Sequence, residues 1–170
     1  MSMTLYDFAV MHGAELLPPV GEERMRGFEL AHGLTIPPGL RDFYSRAGGT
    51  LEFLGCIWRI WPFEEATTLD RKIRDPLDVK FLSGDATCPV LSDYIAFMDA
   101  LMEAPVFAVC ANPQNPAYGE VISLSGDDEQ WLDGPMKSWD GFLLNLGLQW
   151  DGVPCLCVHS DDEVRIHEPH

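Results

Sequence analysis

The segment "APVFAVCAN", residues 104–112, constrains the fold of this chain more than any other stretch. It is short, it is apolar from position 105 to position 111, and prolines at 105 and 113 bound it. A short run with no polar face is typical of a strand that is covered on both sides. The sequence therefore predicts a central strand of a β-sheet here.

Helical patterns precede this strand. Residues 4–12 predict a short first helix. The stretch "GEERMRGFELAHG", residues 21–33, predicts a second, with acidic residues in its first turn, where the helix dipole favours them. Its expected cap is Gly33, and its expected apolar side consists of Met25, Phe28 and Leu30.

A third helix is predicted over "IPPGLRDFYSRAGG", residues 36–49. Pro37 and Pro38 suit a first helical turn, and Gly48 or Gly49 can take the left-handed conformation that ends a helix. Apolar residues then alternate with polar ones through "TLEF", which predicts a half-buried strand with its leucine and phenylalanine turned inward.

The remaining patterns complete an α+β order. Strands are predicted at "CIWRIWPF", "YGEVISLSG" and "QWL", while "CPVLSDYIAFMDAL" fits a strand or a helix and residues 64–80 fit no element clearly. Ser138 is expected to cap a helix at "WDGFLLNLGL", whose inward residues are Trp139, Phe142, Leu143 and Leu146. We therefore predict an α+β fold, a largely antiparallel sheet with helices packed around it.

Length and cysteine usage suggest the setting. A chain of 170 residues is expected to form a single domain, 1–170, with a core over about 20–150 and a C-terminal extension at 151–170 whose role the sequence does not indicate. The chain has five cysteines and no apolar run that could span a bilayer, and its first residues lack the pattern of a signal peptide. The sequence thus predicts a soluble, cytoplasmic protein without a disulfide framework.

The charge is unusual and uneven. Eleven basic and 27 acidic residues give a net charge of −16. Residues 1–84 hold 9 basic and 12 acidic residues, a net of −3, while residues 85–170 hold only Lys137 and Arg165 against 15 acidic residues, a net of −13. Such a chain is a poor ligand for nucleic acid or anionic membrane, because each phosphate contact needs a cation. It would attract a basic partner, unless the charge serves solubility alone.

One acidic segment is the candidate binding site. Five carboxylates fall within 14 residues that contain no lysine or arginine, and a tryptophan lies among them. Two interpretations stay open: a solvated hairpin tip with the tryptophan turned inward, or an anionic edge with an aromatic anchor for a partner. The candidate residues are Glu120, Asp127, Asp128, Glu129, Trp131 and Asp133.

Three patterns in the sequence bear on catalysis or metal binding. Cys155, Cys157 and His159 alternate, so a strand would place them on one face, but structural zinc sites space their cysteines differently. No known motif surrounds a cysteine–histidine pair, and adjacent carboxylates such as Glu64–Glu65 or Asp127–Asp128 rarely share a pocket. We therefore predict no catalytic residue, metal or cofactor.

The order of these segments resembles the SUKH superfamily, the domain of the fungal Smi/Knr regulators and of many bacterial immunity proteins. The likeness covers roughly residues 20–150. It rests on "EERMRGFELAHG"; on the proline-initiated helix with its paired glycines; on "VLSDYIAFMDALMEAPVFAV" and "GEVISL"; and on the segment that contains Ser138, Trp139, Phe142 and Leu143. The resemblance implies an antiparallel sheet surrounded by helices and a binding role without catalytic residues.

The resemblance and the charge together give the functional hypotheses. The first is an immunity protein that neutralises a cationic, nuclease-type toxin domain through acidic complementarity. The second is a regulatory scaffold of the Smi/Knr kind without a toxin partner. The third is a metal-dependent or thiol enzyme. The sequence does not predict the oligomeric state.

Overall fold

A computed structural model describes residues 3–51, 58–73, 80–81, 89–100, 105–125, 131–136 and 138–150. These residues form four α-helices: α1 (Leu5–Met11), α2 (Glu22–His32), α3 (Pro38–Arg46) and α4 (Trp139–Trp150). They also form seven strands: β1 (Trp58–Ile60), β2 (Thr67–Thr68), β3 (Lys80–Phe81), β4 (Tyr94–Ala100), β5 (Val106–Cys110), β6 (Val121–Ser125) and β7 (Trp131–Met136). Short 3₁₀ turns at Leu69–Arg71 and Leu91–Asp93 complete the described elements.

The strands belong to one sheet in the order β1-β4-β5-β6-β7-β3, and β2 also pairs with β4. Every pairing is antiparallel except that of β3 with β7, which is parallel. The chain is therefore α+β with a largely antiparallel sheet, as its sequence predicts. In the described part of the chain, no helix has the length and apolar character needed to cross a membrane.

The predicted central strand is confirmed. β5 lies between β4 and β6, and all five of its residues are buried. Its side chains alternate between two hydrophobic clusters: Phe107 and Val109 face the helices, while Val106, Ala108 and Cys110 face the other side of the sheet. The absence of a polar face in this segment thus reflects a sheet that is covered on both sides.

The ambiguous segment before β5 forms a strand. β4 is buried along its whole length and follows directly on the 3₁₀ turn at Leu91–Asp93. It is the most extensively paired strand of the sheet, because β5 binds one edge while β1 and β2 bind the other. These long-range pairings decide its conformation, and they are not visible in its local sequence pattern.

The helices begin and end largely where predicted. Thr4 caps α1 by accepting a hydrogen bond from the Asp7 backbone N–H at 3.1 Å. Gly33 ends α2 in the left-handed conformation, with φ at 66°. Ser138 caps α4, because its Oγ accepts a hydrogen bond from the Gly141 N–H at 3.0 Å. The predicted inward residues of α4 are buried, apart from Trp139, which is half-buried.

The prediction of the apolar side of α2 is wrong for one residue, Leu30. Met25 is buried and Phe28 half-buried, as predicted, but 85% of Leu30 is exposed. Successive residues turn by about 100° around a helix, so Leu30 lies on the opposite side from Phe28. Glu29 turns inward instead, where its carboxylate accepts a hydrogen bond from the Ile36 N–H at 2.8 Å.

The paired glycines do not end α3 in the predicted way. The helix ends at Arg46, and Ala47 after it is extended. Gly48 and Gly49 allow close backbone packing instead. A Cβ at Gly48 would overlap the carbonyl oxygen of Pro18, and one at Gly49, where φ is 131°, would lie 2.7 Å from the backbone of Pro62. The two glycines are thus required by the close approach of backbone at Pro18 and Pro62, and not by the end of the helix.

The alternation predicted after the glycines is reversed. Thr50 is fully buried, whereas 53% of Leu51 is exposed. The Thr50 hydroxyl both donates to and accepts from the backbone of Ile60, each at 3.2 Å, which satisfies this buried polar group. The rest of the predicted strand, and the Cys155, Cys157 and His159 pattern, lie outside the described residues.

Candidate functional site

Of the six predicted site residues, the structure describes Glu120, Trp131 and Asp133. Glu120 comes immediately before β6, at the end where β6 pairs with Met136. Trp131 pairs with Ser125 at the other end of the same strand. The two ends are roughly 17 Å apart at about 3.4 Å per residue. Glu120 and Trp131 therefore lie at opposite ends of β6, and that the six candidates form one binding site stays a prediction.

The other candidates lie on or beside β7. Asp133 is on that strand and pairs with Ser123 of β6. Asp127, Asp128 and Glu129 lie in the connection between β6 and β7, outside the described residues. Whether these carboxylates form an anionic edge stays a prediction.

Glu120 closes a well-ordered turn between β5 and β6. Its carbonyl oxygen accepts a hydrogen bond from the Cys110 N–H at 2.8 Å, and its N–H donates to the Ala117 carbonyl at 2.8 Å. The same turn is anchored by Asp93, whose two carboxylate oxygens each accept a 2.9 Å hydrogen bond from the side-chain amides of Asn112 and Asn115. Asp93 therefore has a structural role, because its carboxylate holds the two asparagines of this turn.

Most of the described lysine and arginine side chains form ion pairs with nearby carboxylates. Of the seven lysine and arginine side chains that the structure describes, five form ion pairs, and each of these pairs lies between positions 7 and 65. The most extensive is at Arg41 of α3, whose guanidinium contacts both oxygens of Glu22, at 2.9 and 3.0 Å, and also binds Glu29. These hydrogen bonds, above all the one that Arg41 donates to Glu29, raise the pKa of Arg41.

The later part of the sequence contains few cations. Residues 81–136 contain nine aspartates and glutamates and no lysine or arginine. Within the described residues, neither Glu120 nor Asp140 takes part in an ion pair. Among the described residues, the ion pairs thus lie in the first half of the sequence, and Glu120 and Asp140 in the second half belong to none of them.

A cavity of about 450 Å³ opens to solvent where the amino-terminal ends of α1, α3 and α4 meet. Its wall is mostly apolar and includes two carboxylates, and it is lined by Met3, Thr4, Pro37, Pro38, Gly39, Asp42, Gly119, Trp139, Asp140 and Leu143. Its volume lies in the range of about 300–1,000 Å³ that is usual for ligand pockets. The cavity is thus a second candidate site.

Trp139 is the largest side chain in this wall. Its indole packs against Gly39 so closely that a Cβ there would overlap the ring. Behind it, the rings of Phe97 and Phe142 each lie 5.5 Å from the Trp139 ring, centroid to centroid. The half-buried indole is therefore held from behind by the core and left partly open to the cavity.

Among the described residues, Cys110 and the Glu64–Glu65 pair are the groups that the sequence analysis considered for catalysis. Cys110 is fully buried, and burial raises the pKa of its thiol, which keeps the sulfur protonated and unreactive. Glu64 and Glu65 diverge, because Glu64 binds Arg24 while Glu65 binds Arg59 at 2.7 Å. Among the described residues there is no group of three histidine, cysteine, aspartate or glutamate side chains that could hold a metal ion.

The cavity is not predicted by the sequence. Its lining residues come from three separate stretches, near positions 3, 38 and 139, and from Gly119 in the β5–β6 turn. Each stretch carries only the ordinary signals of a helix start, and no local pattern shows that the three starts meet. A scan against models of protein families and a search among curated proteins find no match to this chain.

Proposed function

We propose that this protein binds a cationic protein without catalysing a reaction, as an immunity protein of the SUKH type that neutralises a nuclease-like toxin domain. The observation that carries the proposal is the segregation of charge. The described ion pairs lie between positions 7 and 65, while residues 81–136 carry nine carboxylates and no lysine or arginine. The sequence resemblance supports the same class of function.

The physical basis is imitation of a nucleic acid. A nuclease holds its substrate through lysine and arginine contacts to phosphates. Carboxylates without cationic neighbours offer the same donors an alternative set of acceptors. Opposite fields would raise the association rate by about 10–1,000-fold, while a few desolvated contacts would slow release.

The described chemistry supports binding over catalysis. A buried, protonated thiol at Cys110 is a poor nucleophile, and the Glu64–Glu65 pair is occupied by two different arginines. Hydrogen bonding to Arg24 lowers the pKa of Glu64, so this carboxylate is also a poor general acid.

Co-purification with the protein encoded by the adjacent gene tests the proposal. We expect a tagged form of this chain to capture the C-terminal domain of that protein in a one-to-one complex and to abolish its nuclease activity. If the chain instead captures several partners weakly and inhibits no nuclease, the regulatory scaffold becomes the better explanation.

Two matched variants separate local recognition from total charge. The first replaces Asp127, Asp128 and Glu129 by their amides. The second replaces three exposed carboxylates outside the described ion pairs, Glu15, Glu23 and Asp70, by theirs. Both remove three negative charges. The proposal requires that the first variant binds the toxin domain more weakly than the second, and equal losses would reduce the effect to net charge.

A further inference from the structure

We infer that the cavity between α1, α3 and α4 binds an arginine side chain of the partner protein, stacked on Trp139 and paired with Asp42 and Asp140. The inference rests on the proposed function for the identity of the partner, but the cavity chemistry stands on its own observations. It also moves the anchoring contact from the predicted β6–β7 edge to the amino-terminal end of α4.

The aromatic wall supplies the first requirement. A guanidinium group is planar and weakly hydrated, so it stacks well on an indole face. Trp139 is fixed by Gly39 on one side and by Phe97 and Phe142 behind it, so little conformational entropy is lost when a ligand packs on it. A fixed, half-buried indole beside an open cavity is suited to this contact.

The two carboxylates supply the second requirement. Asp140 lies in the first turn of α4, is exposed, and belongs to no ion pair within the described residues. Asp42 lies on α3 and is only partly compensated, because Arg46 approaches one of its oxygens at 3.4 Å. An entering guanidinium has five N–H donors with which to bind carboxylate oxygens.

The protein already contains this arrangement beside the cavity. The guanidinium of Arg46 lies 3.8 Å from the centroid of the Tyr6 ring and within 3.7 Å of Asp7 as well as 3.4 Å of Asp42. An arginine between one aromatic face and two carboxylates is therefore stable at this end of the molecule. The cavity offers a second arginine the same kinds of groups, one aromatic face and two carboxylates.

An anion fits this site less well. Helix amino termini carry a partial positive charge that favours anions. However, Thr4 caps α1 and Ser138 caps α4, and Asp140 adds a full negative charge to the first turn of α4. An apolar ligand would cover Asp140, which belongs to no ion pair among the described residues, without offering it a partner, and this is costly. A cation with a flat apolar face satisfies both parts of the wall.

A peptide titration followed by NMR tests the inference. The probe is acetyl-Gly-Arg-Gly-amide, and its control is the same peptide with citrulline, which keeps the shape and removes the charge. The readouts are the indole N–H signal of Trp139, assigned with Trp139→Phe, and the backbone amides of Gly39 and Gly119. We expect the arginine peptide to shift these signals saturably and the citrulline peptide to bind at least about threefold more weakly.

Asp140→Asn and Glu23→Gln form a matched pair for this titration. Each removes one exposed carboxylate from the first turn of a helix, but only Asp140 lines the cavity. We expect Asp140→Asn to weaken the arginine peptide by about threefold or more and Glu23→Gln to leave it unchanged. Equal binding of the two peptides, or equal effects of the two variants, would overturn the inference.

The outcomes also separate this inference from the proposed function. If the arginine peptide occupies the cavity but no cationic protein is captured, the cavity assignment stands and the immunity function falls. If a toxin domain is captured while the peptide leaves the Trp139 signal unmoved, the function stands and the cavity assignment is wrong.

Discussion

The indole of Trp139 lies against the backbone of Gly39 with no room for a Cβ atom between them. This contact joins the first turn of α4 to the first turn of α3, although the two residues are 100 positions apart in the sequence. It also fixes the aromatic wall of the cavity. The packing of one helix start on another is therefore coupled to the shape of the candidate site.

Replacing Gly39 by alanine should disturb this contact. The added methyl would force the Trp139 indole to move, and overpacking of this kind costs about 1–3 kcal/mol of unfolding free energy. Urea unfolding measures the change. Gly27→Ala is the control, because a Cβ at Gly27 meets nothing within 4 Å and alanine favours a helix interior by about 0.5–1 kcal/mol. A destabilised Gly27→Ala or an unaffected Gly39→Ala would contradict the packing described here.

The Arg41 ion pairs should contribute more than the surface pair at Arg26. Arg41 is 28% exposed and contacts two glutamates of α2, whereas Arg26 is 71% exposed and contacts one. Lysine cannot reproduce the fork of donors at Arg41, so Arg41→Lys should lower the unfolding free energy by about 1 kcal/mol. Arg26→Lys should change it by less than about 0.5 kcal/mol. The same urea titration compares them, and equal effects would mean that the network adds nothing beyond single surface pairs.

Asp93 should be essential to the turn between β5 and β6. Asp93→Ala leaves the side-chain amides of Asn112 and Asn115 without their acceptors, and we expect a loss of about 2 kcal/mol. Thermal unfolding and the amide exchange rate of Ala111, whose N–H donates to the Asp93 carbonyl, report on the turn. Ser92→Ala changes an exposed neighbour and should be neutral. Unchanged stability in Asp93→Ala would remove the structural role assigned to this carboxylate.

Cys110 should resist alkylation while the protein is folded. Burial raises the pKa of its thiol above the ordinary 9.0, so the reactive thiolate is scarce at pH 8. As the pH rises, the thiol ionises near pH 9.0 in the unfolded chain but only at a higher pH in the folded protein. The contribution of this group to the free energy of unfolding is therefore complete below pH 9.0 and is lost as the pH rises through the folded pKa. Mass spectrometry after iodoacetamide treatment should find Cys110 unmodified in buffer and modified in urea. Rapid modification of the native protein would revive the thiol-enzyme hypothesis.

The sequence predicted the structure correctly where the conformation of an element depends on its own residues. Proline at the start of α3, the Ser138 cap of α4 and the uniformly apolar β5 each carry a local physical signal, and each was found. The errors have a common cause. Thr50 is buried because Ile60 offers it hydrogen bonds, and the paired glycines are needed because Pro18 and Pro62 approach them. These partners come from elsewhere in the chain.

The candidate site shows the same limit. The count of carboxylates and the strand between Glu120 and Asp133 were available from the sequence, but the pairing of Asp133 with Ser123 was not, because it depends on strand register. The cavity was invisible for a related reason. Met3, Gly39 and Trp139 meet only after three helices have packed together.

The association rate as a function of ionic strength tests the central claim most directly. The chain and its proposed partner, the C-terminal domain of the protein encoded by the adjacent gene, would be mixed in a stopped-flow instrument from about 0.01 M to about 0.15 M salt, where the Debye length falls from about 30 Å to about 8 Å. We predict that the association rate constant falls at least about tenfold over this range. We also predict that the variant with amides at positions 127–129 starts from a lower rate than the control at Glu15, Glu23 and Asp70. A rate constant that stays the same across the salt series would contradict the account.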